Sequence, residues 1–381
     1  MALKIFIIMV FLIIYPLFLY PILLTLLARF HPEPVRKSIP GIWPKITMII
    51  PVHNEENIIE EKIKNTLSLR YPEDCLEILV ASDGSNDRTI EILNTFQKET
   101  FKIIDFKIRR GKLLTIIDVV KYSTGDILVF SDASAILEEE ALIRLVENFS
   151  DKSVGCVSGR YLIQGDISAP HDARSFGEKG YFEFEVYLRK RESEFHSTLG
   201  AHGALYGLRR ELFPEVPTGI INDDFVIPMM ALSQGFRTVY EERAIVVERH
   251  QTNLKGELRR RIRISHGNFQ QIFLLVPMLG FRDLKAQFVF LSHKVIRAFQ
   301  PVYLMMIFVT SLILKGPFFK AFVEFQIGFY ILGIASLFTK RPKKVFAIPL
   351  YFVLVNVAIV AGFIKQIKQG RKQAVLKWEK S

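Results

Sequence analysis

The chain has little cysteine and little tryptophan, with two of each in 381 residues. Cys75 and Cys156 lack the paired spacing of a zinc ligand set, and two thiols make no disulfide framework. A reduced, cytosolic compartment is the simplest inference. The eight histidines show no ligand spacing, so His202, His250 and His266 read as polar or hydrogen-bonded side chains. No internal repeat and no low-complexity tract is present. Acidic residues are also in deficit, 39 against 50 basic ones, which leaves a net charge of +11. No nucleic-acid motif accompanies that charge, so nucleic acid is set aside as a partner. Loops facing anionic membrane lipid account for the charge.

Apolar sequence is in excess. Half the residues are hydrophobic and the mean hydropathy is +0.23. The excess is concentrated in residues 3–28 and after residue 272. The run from Ile5 to Leu27 can cross a hydrocarbon core of about 30 Å. It is too long for a signal-peptide core and reads as a retained anchor. Residues 29–44, with four prolines, form a linker. Residues 257–293 mix basic and apolar positions and suggest an amphipathic segment lying on the membrane. Apolar segments near 288–314, 318–338 and 346–363 follow, then a basic tail over 365–381. Three C-terminal crossings would place that tail outside, and two would place Lys340, Arg341, Lys343 and Lys344 outside, so the positive-inside rule leaves both topologies open.

Between the apolar regions, strand-like and helix-like segments alternate. Strands are expected at Ile46–Pro51, Leu76–Ala81, within Phe101–Ile108 and at Ile127–Phe130. Helices are expected at Asn54–Arg70, Asp87–Gln97, Lys112–Tyr122 and Glu138–Phe149. This alternation predicts a mostly parallel sheet covered on both faces. Beyond it, residues 164–180 read as a loop, Phe182–Phe195 and Met229–Gln234 as helices, and Thr238–Glu248 as strand segments.

Ligands of open α/β sheets sit beyond the carboxyl ends of the strands, and acidic residues fall there. Glu55 follows the first strand, Asp83 ends the second and Asp132 ends the fourth. Such carboxylates can hold a divalent cation and a ribose or uracil. Asp223 and Asp224 stand side by side before an apolar stretch. They suit either an acidic first turn of a helix or a pair in which a neighbouring charge and burial raise one carboxyl enough to serve as a base. The run Arg259-Arg260-Arg261-Ile262-Arg263 suits a membrane-facing basic face with one or two phosphate ligands in it. Together these features suggest chemistry on a nucleotide-activated sugar at a membrane surface.

In order and spacing, Pro51-Val52-His53-Asn54-Glu55-Glu56, Ser82-Asp83-Gly84-Ser85, Arg110-Gly111-Lys112, Asp132-Ala133-Ser134, Gly203-Ala204-Leu205-Tyr206, Asp223-Asp224 and Arg260-Arg261-Ile262-Arg263-Ile264 are similar to the membrane-integrated family 2 glycosyltransferases, which include bacterial polysaccharide synthases. The resemblance covers roughly residues 45–270 and the flanking helices. It implies a GT-A, Rossmann-like α/β fold. Glu55 and Asp83 would contact the uridine, with Lys112 nearby, and Asp132 would hold Mg²⁺ or Mn²⁺ at the diphosphate. Asp224, with Asp223 beside it, matches the general base, and Arg260 and Arg263 fall in the region facing the diphosphate. Ser134 replaces a second Asp of the metal motif. Arg260 and Ile264 replace a Gln and a Trp, and losing that Trp argues against processive polymerisation.

The resulting expectation is an inverting transferase. It would move a sugar from a UDP-sugar to a glycan or lipid-linked acceptor hydroxyl, in contact with membrane lipid and with partner membrane subunits as a further class of contact. The expected layout is an anchor (1–28), a linker (29–44), a cytosolic GT-A domain (45–256), an interfacial segment (257–293), membrane helices (294–364) and a tail (365–381), in a bacterial inner membrane. A polyprenyl-phosphate sugar transferase is one alternative. A non-catalytic membrane scaffold that kept the fold is another.

Overall fold

The computed structural model describes residues 1–96, 99–163, 173–248, 254–279, 283–336 and 344–378. His250, residues 164–172 of the expected loop and the basic positions 340, 341 and 343 lie outside them. The chain divides into two compact units. One comprises Met1–Phe30, Asp166–Leu188 and Thr252–Ser381, and the other His31–Gly165 and Arg189–Gln251.

The second unit is built on an eight-stranded mixed sheet. Its strands are β1 (Ile46–Val52), β2 (Leu76–Asp83), β3 (Phe101–Phe106), β4 (Ile127–Phe130), β5 (Ala135–Leu137), β6 (Val154–Ile163), β7 (Tyr206–Arg209) and β8 (Arg237–Glu248). They lie in the order β3-β2-β1-β4-β7-β6-β8-β5. The first four are parallel to one another, and β7 joins β4 antiparallel. Ile46, Met48, Ile49 and Ile50 of β1 are wholly buried, as a parallel strand covered on both faces requires. The strand order reverses at β1, which puts β2 on one side and β4 on the other and opens a crevice beyond their carboxyl ends. Register then fixes what lines that edge. Asp83 pairs with Phe106, and Phe130 pairs with Tyr206, so the ends of β2, β3 and β4 and the loop leading into β7 share one rim.

Several helices differ in extent from the sequence expectation, for local reasons. The first begins at Ile59, not Asn54. Asn54 is left-handed (φ 56°), and residues 54–56 bond sideways to the loop after β2: Asn54 N–H donates to Ser85 Oγ, Glu55 N–H to Thr89 Oγ1 and Glu56 N–H to Asp87 Oδ2. The second helix is only Thr89–Leu93, and Asp87 Oδ1 accepts from the Thr89 N–H at its start. The expected Glu138–Phe149 helix is Ala141–Val146 followed by a 3₁₀ turn. A helix occupies Ala173–Phe195, so part of the expected loop is helical. The helix expected from Met229 starts at Asp223 and contains Pro228. Pro228 has no N–H for the carbonyl of Asp224, and that carbonyl accepts from Ala201 N–H at 2.8 Å instead.

The linker over 31–44 is docked on this unit. Glu33 N–H donates to Glu194 O at 2.8 Å, Arg237 Nη2 donates to Glu33 O at 2.7 Å, and Lys37 pairs with Glu241 at 2.7 Å.

The other unit is helical. Ala2–Phe30, Pro317–Ala335 and Ile348–Gly370 are long and apolar enough to cross a membrane, and the pair Leu284–Ala298 and Gln300–Ile313, bent by 58°, is a fourth candidate. The first is interrupted by a π-helical segment, Tyr15–Leu19, around Pro16, where the ring removes a backbone donor. Phe18, Ile22, Phe325 and Ile331 are exposed on these helices, as lipid-facing residues would be. Within this unit, Glu185 pairs with His293, Lys294 and Arg297. Helix Leu254–Leu279 carries the basic run.

Candidate active site

Three acidic groups and one lysine converge beyond the end of β4. Lys112 opens the helix Lys112–Val120, and its Nζ donates to Asp132 Oδ1 at 2.6 Å and lies 3.8 Å from Asp223 Oδ2. Asp223 and Asp224 open their helix, and Asp224 Oδ2 accepts from Gly203 N–H at 3.0 Å. Gly203 sits at the centre. A Cβ built there would stand 3.1 Å from Asp132 Oδ2, 3.3 Å from Asp224 Oδ2 and 3.3 Å from Lys112 Nζ. A methyl there would press on all three groups at once.

Burial and mutual charge tune the cluster. Burial pushes the Asp224 carboxyl up and the Asp223 charge adds to it, against the pull of Lys112, so that it reaches about 6. Burial would lower the Lys112 ammonium, but Asp132, Asp223 and Asp224 outweigh it and hold it well above its usual range. Burial would raise Asp132, yet Lys112 keeps it below the usual carboxylate range. The site therefore contains one carboxylate held ionised and one held near neutrality, a separation that suits proton transfer. Asp223 Oδ2 is buried with no hydrogen-bond partner, and so is the Tyr206 hydroxyl.

Asp83 and Glu55 lie in the same unit as this cluster. Asp83 is buried and its two oxygens accept from the backbone N–H groups of Arg110 and Gly111, each at 2.7 Å. It thereby fixes the turn that leads into Lys112. Gly84, at φ +65° and with its Cβ position 2.6 Å from Arg109 N, permits that close approach. Glu55 is raised by burial first and then by Asp87 and Asp132, which sets it in the same electrostatic neighbourhood. Arg260 and Arg263 belong to helix Leu254–Leu279 of the other unit. There Arg260 lies 3.7 Å from Glu257 and Arg263 is exposed.

Two contributors were not anticipated. Lys62 is wholly buried. It occupies the apolar stripe Ile59, Lys62, Ile63, Thr66 of its helix, and a single lysine at such spacing is the sequence signal for it. Glu248 accepts from the Ser134 hydroxyl and, at 2.7 Å, from Tyr161 Oη. Strand β8 thus delivers a carboxylate to Ser134, two residues after Asp132, through the pairing of Ala135 with Glu248.

Residues 47–216 match the family model for glycosyl transferase family 2. The chain carries a family 2 glycosyltransferase domain. Its activity is glycosyl transfer. Poly-β-1,6-N-acetyl-D-glucosamine synthase of Staphylococcus epidermidis is 22% identical over 357 residues, covering 86% of this chain and 84% of that one. The probable glycosyltransferase YdaM of Bacillus subtilis is 35% identical over 127 residues, covering 32% of this chain and 30% of its own. Among solved structures, the mannosyltransferase PcManGT of Pyrobaculum calidifontis, in complex with GDP-Man and Mn²⁺, superposes with a TM-score of 0.74 over 96% of this chain and 99% of that one, at 22% identity. The sheet and its flanking helices therefore form a GT-A glycosyltransferase fold.

Proposed function

We propose that this protein is an inverting membrane glycosyltransferase. It moves a sugar from a UDP-sugar to a glycan or lipid-linked acceptor hydroxyl in cell-surface polysaccharide synthesis, with its GT-A domain on the cytosolic side of the membrane. The observation that carries the reading is Asp224: a half-buried carboxyl, raised to about 6, beside an ionised Asp132 and against the Gly203 backbone.

The donor set is one of hard oxygens. The Asp132 carboxylate and Asp223 Oδ2, which is buried without a hydrogen bond and 3.8 Å from Lys112 Nζ, fit Mg²⁺ or Mn²⁺, which take carboxylates together with substrate phosphates. A divalent cation held by Asp132 would offset charge on the leaving diphosphate. Asp224 takes the proton of the acceptor hydroxyl as that oxygen attacks the anomeric carbon. The bond from that carbon to the diphosphate breaks on the opposite face, and the electron pair leaves with the nucleotide. Lys112 stabilises the charge left among the carboxylates, Glu55 and Asp83 serve the nucleoside, and Arg260 and Arg263 serve the diphosphate. The similarity to a poly-N-acetylglucosamine synthase supports a glycan acceptor. The Mn²⁺ in the mannosyltransferase complex supports a divalent cation.

Purified full-length protein in lipid, screened with UDP-sugars and GDP-mannose, tests this reading. It expects cation-dependent UDP release and a product of inverted anomeric configuration by NMR. A preference for GDP-mannose would replace the donor, and retained configuration would overturn the mechanism.

A further inference from the structure

Lys62 is a fully buried ammonium whose hydrogen-bond acceptors are both neutral: Ser131 Oγ at 2.7 Å and Ala135 O at 2.6 Å. These two atoms flank the turn 131–135, which carries Asp132 between β4 and β5. Ser131 Oγ in turn donates to Ala204 O at 2.9 Å, in the loop that holds Gly203. One side chain therefore ties both ends of the Asp132 turn to the helix Ile59–Leu67, and through Ser131 to the loop beside Asp224. Attachment of that helix does not require it. Asn65 already donates to Leu137 O at 2.8 Å and accepts from Leu137 N–H at 2.9 Å.

Burying an ammonium without a carboxylate bound to it is costly, and burial lowers Lys62 to about 7 while the charge of Asp132 pulls it back up. An apolar residue of similar volume would pack there at less cost. A stability role does not explain such a residue. Groups that orient a ligand-bearing turn do, because their loss is felt in ligand affinity before it is felt in the fold.

We infer that Lys62 is a positioning residue, which fixes the turn 131–135 so that the Asp132 carboxylate faces the cation and diphosphate of the donor. The inference rests on the reading of Asp132 as the residue that holds the cation.

The test uses the full-length protein in lipid, with Mn²⁺ and UDP as probes. Mn²⁺ affinity is measured by electron paramagnetic resonance titration in the presence of UDP, and melting temperature on the same samples. Lys62→Met is expected to keep or raise the melting temperature and to weaken Mn²⁺ binding about tenfold, the lower end for loss of an orienting group. Lys62→Gln, which keeps a donor, is expected to recover part of that loss. Ser131→Ala, which leaves the lysine in place, keeps the question open to test should Lys62→Met fail to fold, and is expected to weaken Mn²⁺ binding by a smaller factor. Unchanged Mn²⁺ affinity in the folded variants, or a fall in melting temperature alone, would overturn the role of Lys62. Asp132→Ala is the separating control. Unchanged cation binding there would overturn the reading of Asp132, and this inference with it. Loss there with no effect at Lys62 or Ser131 would overturn this inference alone.

Discussion

Replacing Asp224 by Asn removes a charge and little else. The amide oxygen can still accept the Gly203 N–H that now reaches Asp224 Oδ2 at 3.0 Å, and the volume is nearly unchanged. The carboxyl is held at about 6 in place of its ordinary 3.8. At about 1.4 kcal/mol for each pH unit, the ionised group costs the fold about 3 kcal/mol at neutral pH. The sign follows from where the proton binds more tightly. The folded state holds it more tightly than the unfolded chain, so this group stabilises the fold as pH falls from 6 towards 3.8 and is a net cost above 6. Asp224→Asn should therefore melt higher than the parent at pH 7.5 and lose that advantage near pH 4. Glycosyl transfer should move the other way. Losing a general base costs roughly 10²–10⁴-fold, while donor affinity stays within a few-fold. In the parent, kcat/KM should rise with pH through about 6, and this limb should vanish in the variant. The assay is UDP release with a hydroxyl acceptor, run beside thermal melts and UDP titration on the same samples, with Asp223→Asn as the milder comparison. Near-normal transfer by Asp224→Asn would refute the base. A lowered melting temperature with little loss of turnover would return the pair to a role in starting the helix. Transfer to a phosphate acceptor that survives the substitution would favour a polyprenyl-phosphate enzyme.

Lys112→Met removes the charge that opposes the rise of Asp224, so the acid limb of the pH–rate profile should move above 6 by roughly one pH unit or more, and an unmoved limb would separate Lys112 from the base. Gly203→Ala places a methyl within 3.3 Å of three site atoms; turnover should fall about 10²-fold with little change in melting temperature, and normal turnover would show that the reacting groups do not meet there. Arg263→Ala should weaken UDP binding about tenfold, the worth of one charge-assisted hydrogen bond, and Arg259→Ala far less; equal losses in titration would indicate a diffuse basic face.

The strand ends were readable because apolar runs stop abruptly at Asp83 and Asp132, and a parallel sheet has its ligand edge there. The acidic pair was readable as a choice between two roles, and the fold carries features of both: the pair opens a helix, while Asp223 is almost inaccessible and Asp224 accepts from the Gly203 loop, neither of which spacing reveals. Helix lengths were overread at Asn54 and Asp87 because their polar groups bond across to another loop, and underread at Asp223, where the helix runs through Pro228. In the fold, Ala201 takes up the carbonyl that the proline leaves free. Lys62 was visible only as an oddity in an apolar stripe. The approach of Glu248 to Ser134 depends on the pairing of β5 with β8, which join segments more than a hundred residues apart.

The docked segment after the first apolar helix changes where the catalytic domain can be cut free. Arg237 is nearly buried and donates to Glu33 O, His196 O and Ser193 O, while Glu33 Oε2 lies 2.8 Å from His196 Nδ1. A fragment begun at residue 45, where the apolar strand starts, would strip one acceptor from that guanidinium and leave Glu241 without Lys37. A fragment begun at His31 keeps these bonds. The natural edge of the sheet-bearing unit is therefore the end of the first apolar helix, and the proline-rich stretch behind it belongs to the folded body of that unit.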